Sequence, residues 1–282
     1  MNDLPLKNLP RKLPESLSLE ITPECNFSCP YCYCLWHEFP QLGSPALTAK
    51  EWSRVICYAA EQGVKDLLFT GGEVLLFPEI KTLLKCARQE LPSAEISLFT
   101  NGSLMTEEFF LFCKKNKIRL STSLQGLQTY GKMTGTDRTF HSLLELIAYA
   151  HQKKWKLSVS MTVTQANRHE ICDMFAAAAL SGAETIMLGA MMPAGRGKAN
   201  LELTLSRNEW ESVKKLIQET ADYGVPYSFC DEMICECRRY PEDIIKHFGN
   251  SDKKPCPAGK KFGVIGPNGT YRKCLHYWSG RK

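Results

Sequence analysis

Short apolar runs alternate with longer amphipathic segments along most of the chain, and this alternation predicts six strand–helix units in series. The predicted strands are 17–22, 65–70, 95–99, 118–123, 156–163 and 185–188. The predicted helices are 48–62, 78–89, one that opens at Thr106, 140–153, 168–181 and 206–223. Elements that alternate in this way form a parallel sheet with the helices packed outside it.

Six units are too few to close the usual eight-stranded barrel, so an open, partial (β/α)₆ barrel is expected. The start of its first helix is marked by Thr48 with Glu51 three residues later, a capping-box pattern. In barrels of this kind the chemistry gathers at the carboxyl ends of the strands. The segments that directly follow each predicted strand are therefore where functional residues are expected.

The length of 282 residues predicts one large domain with a small appendage. Residues 1–14 contain three prolines and are expected to form an arm. Residues 15–225 hold the predicted barrel, and residues 226–282 form a C-terminal extension without long helices. A hydrophobic content of 44% with 23% charged residues is ordinary for a globular protein.

Charge and cysteine content narrow the class of protein. The net charge of +5 is too small to indicate a nucleic-acid partner. The 13 cysteines are an odd number, and no signal peptide is recognisable, so metal-binding thiols in a reducing cytoplasm are favoured over disulfides. No apolar run of about 18 residues is present, so no membrane span is expected.

Three cysteines follow the first predicted strand within eight residues, in the pattern C-x₃-C-x-Φ-C: Cys25, Cys29 and Cys32. This spacing suits three thiolates on one metal centre, and three protein ligands leave a coordination position open for reaction. Cys34 is the one nearby candidate for a fourth ligand. Thiolate ligation favours zinc or an iron–sulfur cluster, and scattered buried cysteines are the remaining alternative.

The cysteine pattern, with Tyr31 before its third cysteine, resembles the signature of the radical S-adenosylmethionine (radical SAM) enzymes. The resemblance implies that Cys25, Cys29 and Cys32 hold three irons of a [4Fe–4S] cluster, whose fourth iron binds the amino and carboxylate groups of SAM. It also implies reductive cleavage of SAM to methionine and a 5′-deoxyadenosyl radical. The backbone beside Tyr31 is expected to contact SAM.

The segment after the second strand contains Gly71, Gly72 and Glu73. Two glycines let a backbone approach a ligand, and a carboxylate accepts hydrogen bonds from an ammonium group, although a tight turn explains the glycines equally. At this place in the chain the segment resembles the GGE motif that binds the amino group of SAM. Val74 stands where that family usually has proline.

Polar residues also follow the third, fourth and sixth strands. Asn101 lies in a Thr-Asn-Gly segment and Ser123 in Ser-Leu-Gln-Gly, and both segments resemble SAM-contacting segments of the family. Gln125 replaces the aspartate usual there. Arg196, in a Pro-x-Gly-Arg segment, resembles the peptide-modifying branch and is expected to bind a carboxylate unless it is merely solvated. Asn167, after the fifth strand, is expected to cap a helix.

The C-terminal extension has its own cysteines, and its G-x₄-C element from Gly269 to Cys274 follows a predicted hairpin. This element resembles the start of the SPASM or twitch extensions of radical SAM enzymes, which bind auxiliary iron–sulfur clusters. The resemblance implies one auxiliary [4Fe–4S] cluster, for which the expected ligands are Cys256, Cys274, Cys237 and then Cys235 or Cys230. A small zinc site and a thiol that donates a hydrogen atom are the alternatives.

The remaining cysteines fall within predicted helices and are expected to be small buried apolar residues: Cys57, Cys86, Cys113 and Cys172.

The sequence as a whole is identified as a cytoplasmic radical SAM enzyme with a partial (β/α)₆ barrel and a short cysteine-rich, SPASM/twitch-like extension. The resemblance implies hydrogen abstraction from a ribosomally made peptide or protein, giving a thioether, carbon–carbon or cyclophane cross-link or an epimerised residue. Expected partners are that precursor, a reductant such as flavodoxin or ferredoxin, and a separate leader-peptide-binding protein. The alternatives are a radical SAM enzyme for a small molecule (a cofactor-biosynthesis cyclase or a dehydrogenase) and a non-catalytic iron–sulfur or zinc scaffold that senses redox state.

Overall fold

The computed structural model describes residues 4–230 and 257–278, and these form two compact units. The described residues of the first unit are 4–26, 34–120 and 257–278, and those of the second are 27–33 and 121–230. The predicted domain limits at 14/15 and 225/226 stay predictions.

The described residues form nine strands: β1 Ser16–Glu20, β2 Asp66–Thr70, β3 Glu95–Phe99, β4 Ile118–Ser123, β5 Leu157–Val163, β6 Ile186–Ala190, β7 Tyr227–Phe229, β8 Phe262–Ile265 and β9 Tyr271–Arg272. They form seven α-helices: α1 Ala49–Glu61, α2 Ile80–Glu90, α3 Glu107–Lys115, α4 Tyr130–Thr134, α5 Phe140–Gln152, α6 Ile171–Leu180 and α7 Arg207–Thr220. Each of the six predicted strands and six predicted helices is found close to its expected bounds.

The first unit is built on a sheet in which β3, β2, β1, β8 and β9 are neighbours in that order. β1 lies between two parallel partners, with Ser16 opposite Asp66 of β2 and Phe262 of β8. β8 and β9 are antiparallel, which confirms the predicted hairpin. The N-terminal arm pairs with this hairpin, since the Lys7 N–H donates to the Gly269 carbonyl at 2.9 Å.

Helix α1 begins where its capping box predicts. The Thr48 hydroxyl accepts from the Glu51 N–H at 3.3 Å, and the Glu51 carboxylate accepts from the Thr48 N–H at 2.8 Å. One turn further, the fully buried Trp52 donates its indole N–H to the Ile21 carbonyl at 3.1 Å. This bond fixes α1 over the carboxyl end of β1.

The second unit contains β7, β6, β5 and the last residues of β4 as neighbours in that order. The β5–β6 and β6–β7 pairs are parallel, with Val159 opposite Ile186 and Ile186 opposite Tyr227. Phe175 of α6 is buried and meets the Tyr227 ring edge-on, with ring centroids 5.5 Å apart. The loops after β4, β5 and β6 are therefore delivered to one edge of this sheet.

Two elements were not predicted, the helix α4 and the strand β7. A five-residue helix and a three-residue strand are too short to carry a recognisable period. The helix predicted from residue 168 instead opens with a 3₁₀ turn, Arg168–Glu170, before α6.

The prediction that the helical cysteines are buried is right for Cys113 and wrong for Cys57, Cys86 and Cys172, which are half-buried. The buried stripe of α1 runs through Trp52, Ile56 and neighbouring positions, and a residue directly after Ile56 is turned by about 100° from that stripe.

Within the described residues no helix has the length and apolar character needed to cross a membrane.

Candidate active site

The loop after β2 lies against the segment that leads into the cysteine loop, which we define as residues 25–32. In the first unit, Gly72 N–H donates to the Thr22 carbonyl at 2.8 Å and Glu73 N–H donates to the Glu24 carbonyl at 2.7 Å. A Cβ on Gly72 would stand 2.0 Å from the Glu24 carbonyl oxygen, and one on Gly71 would stand 2.7 Å from that of Thr22. The glycine pair is therefore required for the two backbones to meet.

The Glu73 carboxylate is fully buried and engaged within the first unit. It accepts hydrogen bonds from the Thr100 hydroxyl at 2.6 Å, the Asn101 N–H at 2.7 Å and the Leu75 N–H at 3.0 Å. Burial raises the pKa of Glu73, while these three hydrogen bonds act in the opposite direction. The carboxylate thus joins the loop after β2 to the loop after β3.

A ring of side-chain hydrogen bonds joins the start of the cysteine loop to the loop after β3. Asn101 donates its amide to the Asn26 side-chain oxygen at 2.9 Å, and Asn26 donates to the Ser103 hydroxyl at 2.9 Å. The Ser103 N–H then donates to the Asn101 side-chain oxygen, also at 2.9 Å. Asn26 directly follows Cys25, which is exposed, so the ring fixes the backbone next to that thiol.

Cys34, considered above as a fourth ligand, is buried in the first unit. Its sulfur lies 3.5 Å from the Gly71 carbonyl oxygen. The thiol therefore packs under the loop after β2.

In the second unit, helix α4 supports the middle of the cysteine loop. The Thr134 carbonyl accepts the Ser28 N–H at 3.0 Å and lies 3.7 Å from the Cys29 sulfur. Gly135 follows with φ of 62°, and a Cβ there would stand 2.8 Å from the Ser28 side chain. Only glycine both adopts this conformation readily and leaves room for the loop.

The loop after β6 contacts the end of the cysteine loop. Gly197 N–H approaches the Cys32 carbonyl at 3.4 Å, and the Asn200 side-chain amide donates to the Pro30 carbonyl at 3.1 Å. The same amide donates to the Arg196 carbonyl at 2.9 Å. Asn200 therefore joins the predicted Pro-x-Gly-Arg segment to the cysteine loop.

Two phenols lie beside Cys29 in the second unit. Burial, and next the Cys29 thiol, raise the pKa of Tyr31 well above its ordinary value. The same two causes, in the same order, raise the pKa of Tyr130 to about 12. Both phenols therefore hold their protons more tightly than an exposed tyrosine does.

Ser123 and Arg196 are both half-buried in the second unit, at the carboxyl end of β4 and in the loop after β6. Within the described part of the chain, the Arg196 guanidinium makes no hydrogen bond or ion pair. Its predicted role of binding a carboxylate stays a prediction.

The prediction that Asn167 caps a helix is wrong. Its side-chain oxygen accepts from the Thr164 N–H at 2.7 Å, and its amide donates to the Gln125 and Thr162 carbonyls, both at 2.9 Å. Asn167 is fully buried, so these internal donors and acceptors satisfy its amide and join the loops after β4 and β5. The Gln125 side chain is likewise used internally, accepting the Thr162 N–H at 2.8 Å.

The donor set fits a thiolate-bound iron–sulfur cluster. The ten cysteines in the described residues are thiols, and Cys25, Cys29 and Cys32 are at least partly exposed on one loop. Across residues 4–230 and 257–278, no three His, Cys, Asp or Glu side chains are grouped as ligands of a single metal ion.

Two of the five candidate ligands for an auxiliary cluster lie in the described residues. Cys230 is half-buried. Cys274 follows β9. It is buried, and its sulfur accepts the His276 N–H at 3.3 Å. Cys235, Cys237 and Cys256 lie outside the described residues. The auxiliary-cluster ligands stay a prediction.

Comparison with known families and proteins gives consistent matches. The model of the family described as "Radical SAM superfamily" matches residues 19–178. The sporulation killing factor maturation protein SkfB of Bacillus subtilis is 28% identical over 189 residues, covering 65% of this chain and 44% of that protein. A probable GTP 3′,8-cyclase of Thermococcus kodakarensis is 30% identical over 170 residues, covering 59% of this chain and 54% of the relative. The chain thus spans about half the length of these two relatives.

The PqqA peptide cyclase of Gluconobacter oxydans is 26% identical over 271 residues, covering 93% of this chain and 70% of that protein. Among solved structures, Streptococcus suis SuiB bound to its precursor peptide SuiA matches with a TM-score of 0.74 at 17% identity, covering 96% of this chain and 62% of SuiB. This likeness shows a shared fold, and it confirms the predicted partial barrel on a parallel sheet. The cysteine-rich extension stays a prediction.

Proposed function

The chain belongs to the radical SAM superfamily, and from that membership we propose that it is an enzyme whose substrate is a ribosomally made peptide or protein. Abstraction of a hydrogen atom would leave a substrate radical. Loss of one electron to an iron–sulfur cluster and of one proton would then give a thioether, carbon–carbon or cyclophane cross-link, whereas a hydrogen atom returned by a thiol would give an epimerised residue. Relatives named as a killing-factor maturation protein and a peptide cyclase, and the fold shared with a peptide-bound enzyme, support this choice.

One observation carries the proposal: the cysteine loop is held, in each unit, by loops that follow the strands. In the first unit the loop after β3 holds its start, and the loop after β2 holds the segment that leads into it. In the second unit α4 and the loop after β6 hold its middle and end. Such fixed backbone around three accessible thiols supports a role for Cys25, Cys29 and Cys32 as ligands of a [4Fe–4S] cluster. When bound, the cluster and SAM supply the 5′-deoxyadenosyl radical.

The chain's own residues bind and orient SAM in this proposal. Because internal donors occupy the Glu73 carboxylate and the Cys34 thiol contacts the Gly71 carbonyl, the Gly72 carbonyl is the better acceptor for the SAM ammonium group. Glu73 positions that loop.

Further polar contacts to SAM are proposed for Asn101, Ser123 and the backbone at Tyr31. Arg196 is proposed to bind a carboxylate of SAM or of the peptide in bidentate fashion.

The proposed domain organisation has three parts: an arm of residues 1–14, a barrel of residues 15–225 and an extension of residues 226–282. Cys274 is proposed to hold one auxiliary [4Fe–4S] cluster together with cysteines at 235, 237 and 256.

A small-molecule substrate is the second candidate, and relatives named as GTP 3′,8-cyclases and AdoMet-dependent heme synthases favour it. Membership of an enzyme superfamily sets aside the non-catalytic scaffold. A flavodoxin or ferredoxin as reductant, and a separate leader-peptide-binding protein, are proposed partners for the peptide reaction.

The test is anaerobic reconstitution with iron and sulfide, followed by dithionite and SAM. We expect 5′-deoxyadenosine from the wild type and about four irons for each [4Fe–4S] cluster, so about eight if the auxiliary cluster forms. Cys25→Ala should give no deoxyadenosine above background, whereas Cys57→Ala, a half-buried helix cysteine in the same unit, should retain it. A wild type that binds zinc alone and leaves SAM intact would contradict the proposal.

The substrate class is tested in the same reaction. Precursor peptides encoded near the gene should lose hydrogen mass on cross-linking, or take up deuterium from D₂O on epimerisation. If a nucleotide or a tetrapyrrole is turned over and every peptide stays unchanged, the substrate is a small molecule and the peptide proposal is wrong.

A further inference from the structure

Glu170 is a buried carboxylate that the sequence analysis did not single out. It directly precedes α6 and is 5% exposed. Its oxygens accept the Leu127 N–H at 2.6 Å, the Thr129 N–H at 3.0 Å and the Thr129 hydroxyl at 3.1 Å. Three donors on one carboxylate, two of them backbone amides of a different loop, fix that loop strongly.

The turn that Glu170 holds leads directly into α4. Tyr130 N–H donates to the Leu127 carbonyl at 3.2 Å, and Met133 N–H donates to the Thr129 carbonyl at 2.9 Å. The Thr134 hydroxyl closes the helix by donating to the Tyr130 carbonyl at 2.7 Å. The position of the turn therefore sets the position of α4.

The far end of α4 is the part of the second unit that contacts the cysteine loop. The Thr134 carbonyl receives the Ser28 N–H, and Gly135 packs against Ser28 without room for a side chain. Cys29 follows at once, with its sulfur 3.7 Å from the same carbonyl. An unbroken series of bonds thus runs from Glu170 to the backbone at Cys29.

We propose that Glu170 is a positioning residue for the cysteine loop, which sets the place of the Cys29 thiol through the 127–129 turn and α4. Asn167 supports it from the same loop by its bond to the Gln125 carbonyl. Glu170 touches neither a cofactor nor a substrate in this role. The inference rests on the proposed function in one point, that Cys29 is a ligand of a cluster iron.

Thiol alkylation of the metal-free protein tests the proposal without any radical chemistry. Glu170→Gln keeps the size of the side chain but replaces one acceptor oxygen by an amide NH₂ group. That group is a donor and would face the N–H and O–H donors of the 127–129 turn. We expect the alkylation rate of Cys29 to rise about tenfold, which corresponds to losing one charge-assisted hydrogen bond. Cys172 in α6 is the internal reference, because a merely structural effect on α6 would raise its rate as well.

Two further variants make the result specific. Gly135→Ala acts at the opposite end of α4 and should raise the Cys29 rate in the same way, because its Cβ displaces Ser28. Glu51→Gln is the matched control: this carboxylate also accepts a backbone N–H and a threonine hydroxyl, both from Thr48, yet makes no contact with the cysteine loop. It should leave the Cys29 rate unchanged.

Iron retention after anaerobic reconstitution and the EPR spectrum of the reduced cluster give the second readout. Glu170→Gln and Gly135→Ala should lose iron faster than Glu51→Gln and shift the spectrum. Unchanged Cys29 alkylation in Glu170→Gln, or an equal rise at Cys29 and Cys172, would overturn the proposal. Because alkylation is measured without SAM, a failure of the proposed function leaves this result interpretable.

Discussion

The two units hold their parts of the cysteine loop by different means. In the first unit the contact is made largely by side chains, through the ring of Asn26, Asn101 and Ser103. In the second it is made mainly by backbone groups, the Thr134 carbonyl and the Gly197 N–H, and the Asn200 side chain adds one bond to the Pro30 carbonyl. A side-chain contact is weakened by deleting one side chain, whereas a backbone contact fails only when the backbone is displaced.

The largest effect is expected where a side chain is forced between backbones. Gly72→Ala places a Cβ 2.0 Å from the Glu24 carbonyl, so the loop after β2 must move away from the start of the cysteine loop. We expect a cost of about 1–3 kcal/mol in the free energy of unfolding. Deoxyadenosine formation should fall about 100-fold, since displacement by about 1 Å has that effect on oriented reactants.

Gly266→Ala is the control for this variant. It lies in the same unit, and its nearest neighbour would be 3.6 Å from the new Cβ, an ordinary contact. Urea unfolding and the deoxyadenosine rate should both be close to those of the wild type. Equal losses in the two variants would show that the close approach of the two loops is not the cause.

A smaller effect, with a defined pH dependence, is expected at Glu73. Its pKa is raised above the ordinary value of 4.5 by burial, so the folded state holds the proton more tightly than the unfolded state. Stability contributed by this group is therefore present below pH 4.5 and lost as the pH rises through the raised value. Glu73→Gln should remove that loss, so its unfolding free energy should vary less with pH than that of the wild type.

Urea unfolding of both proteins across this pH range measures the difference. Glu51→Gln again serves as the control. Hydrogen bonds from Thr48 lower the pKa of Glu51, so its replacement should change the pH profile with the opposite sign. If the unfolding free energies of the wild type and Glu73→Gln vary with pH in parallel, burial does not raise the pKa of Glu73.

The sequence could predict features that local patterns mark, and it could not predict contacts between distant loops. Periodicity identified the long strands and helices. The order of motifs at strand ends led to Gly72 and Asn101, and their predicted contacts with SAM stay a prediction. Glu170 was missed because its partner Leu127 is 43 residues away and no period marks a buried carboxylate among loop residues. Asn167 was misread because a local cap and a long-range bond require the same amide, and only the packed loop after β4 decides between them.

The smallest effect is expected for the exposed ring of the first unit, measured as a coupling energy. Asn26→Ala and Asn101→Ala should each cost about 0.5–1.5 kcal/mol, and the double variant should cost less than their sum because both remove the same bond. Asn101→Ala combined with Thr48→Ala, a helix cap in the same unit, should be additive. Additivity in the Asn26–Asn101 pair would show that the ring does not hold the cysteine loop, and the contrast between side-chain and backbone support would then fail in the first unit.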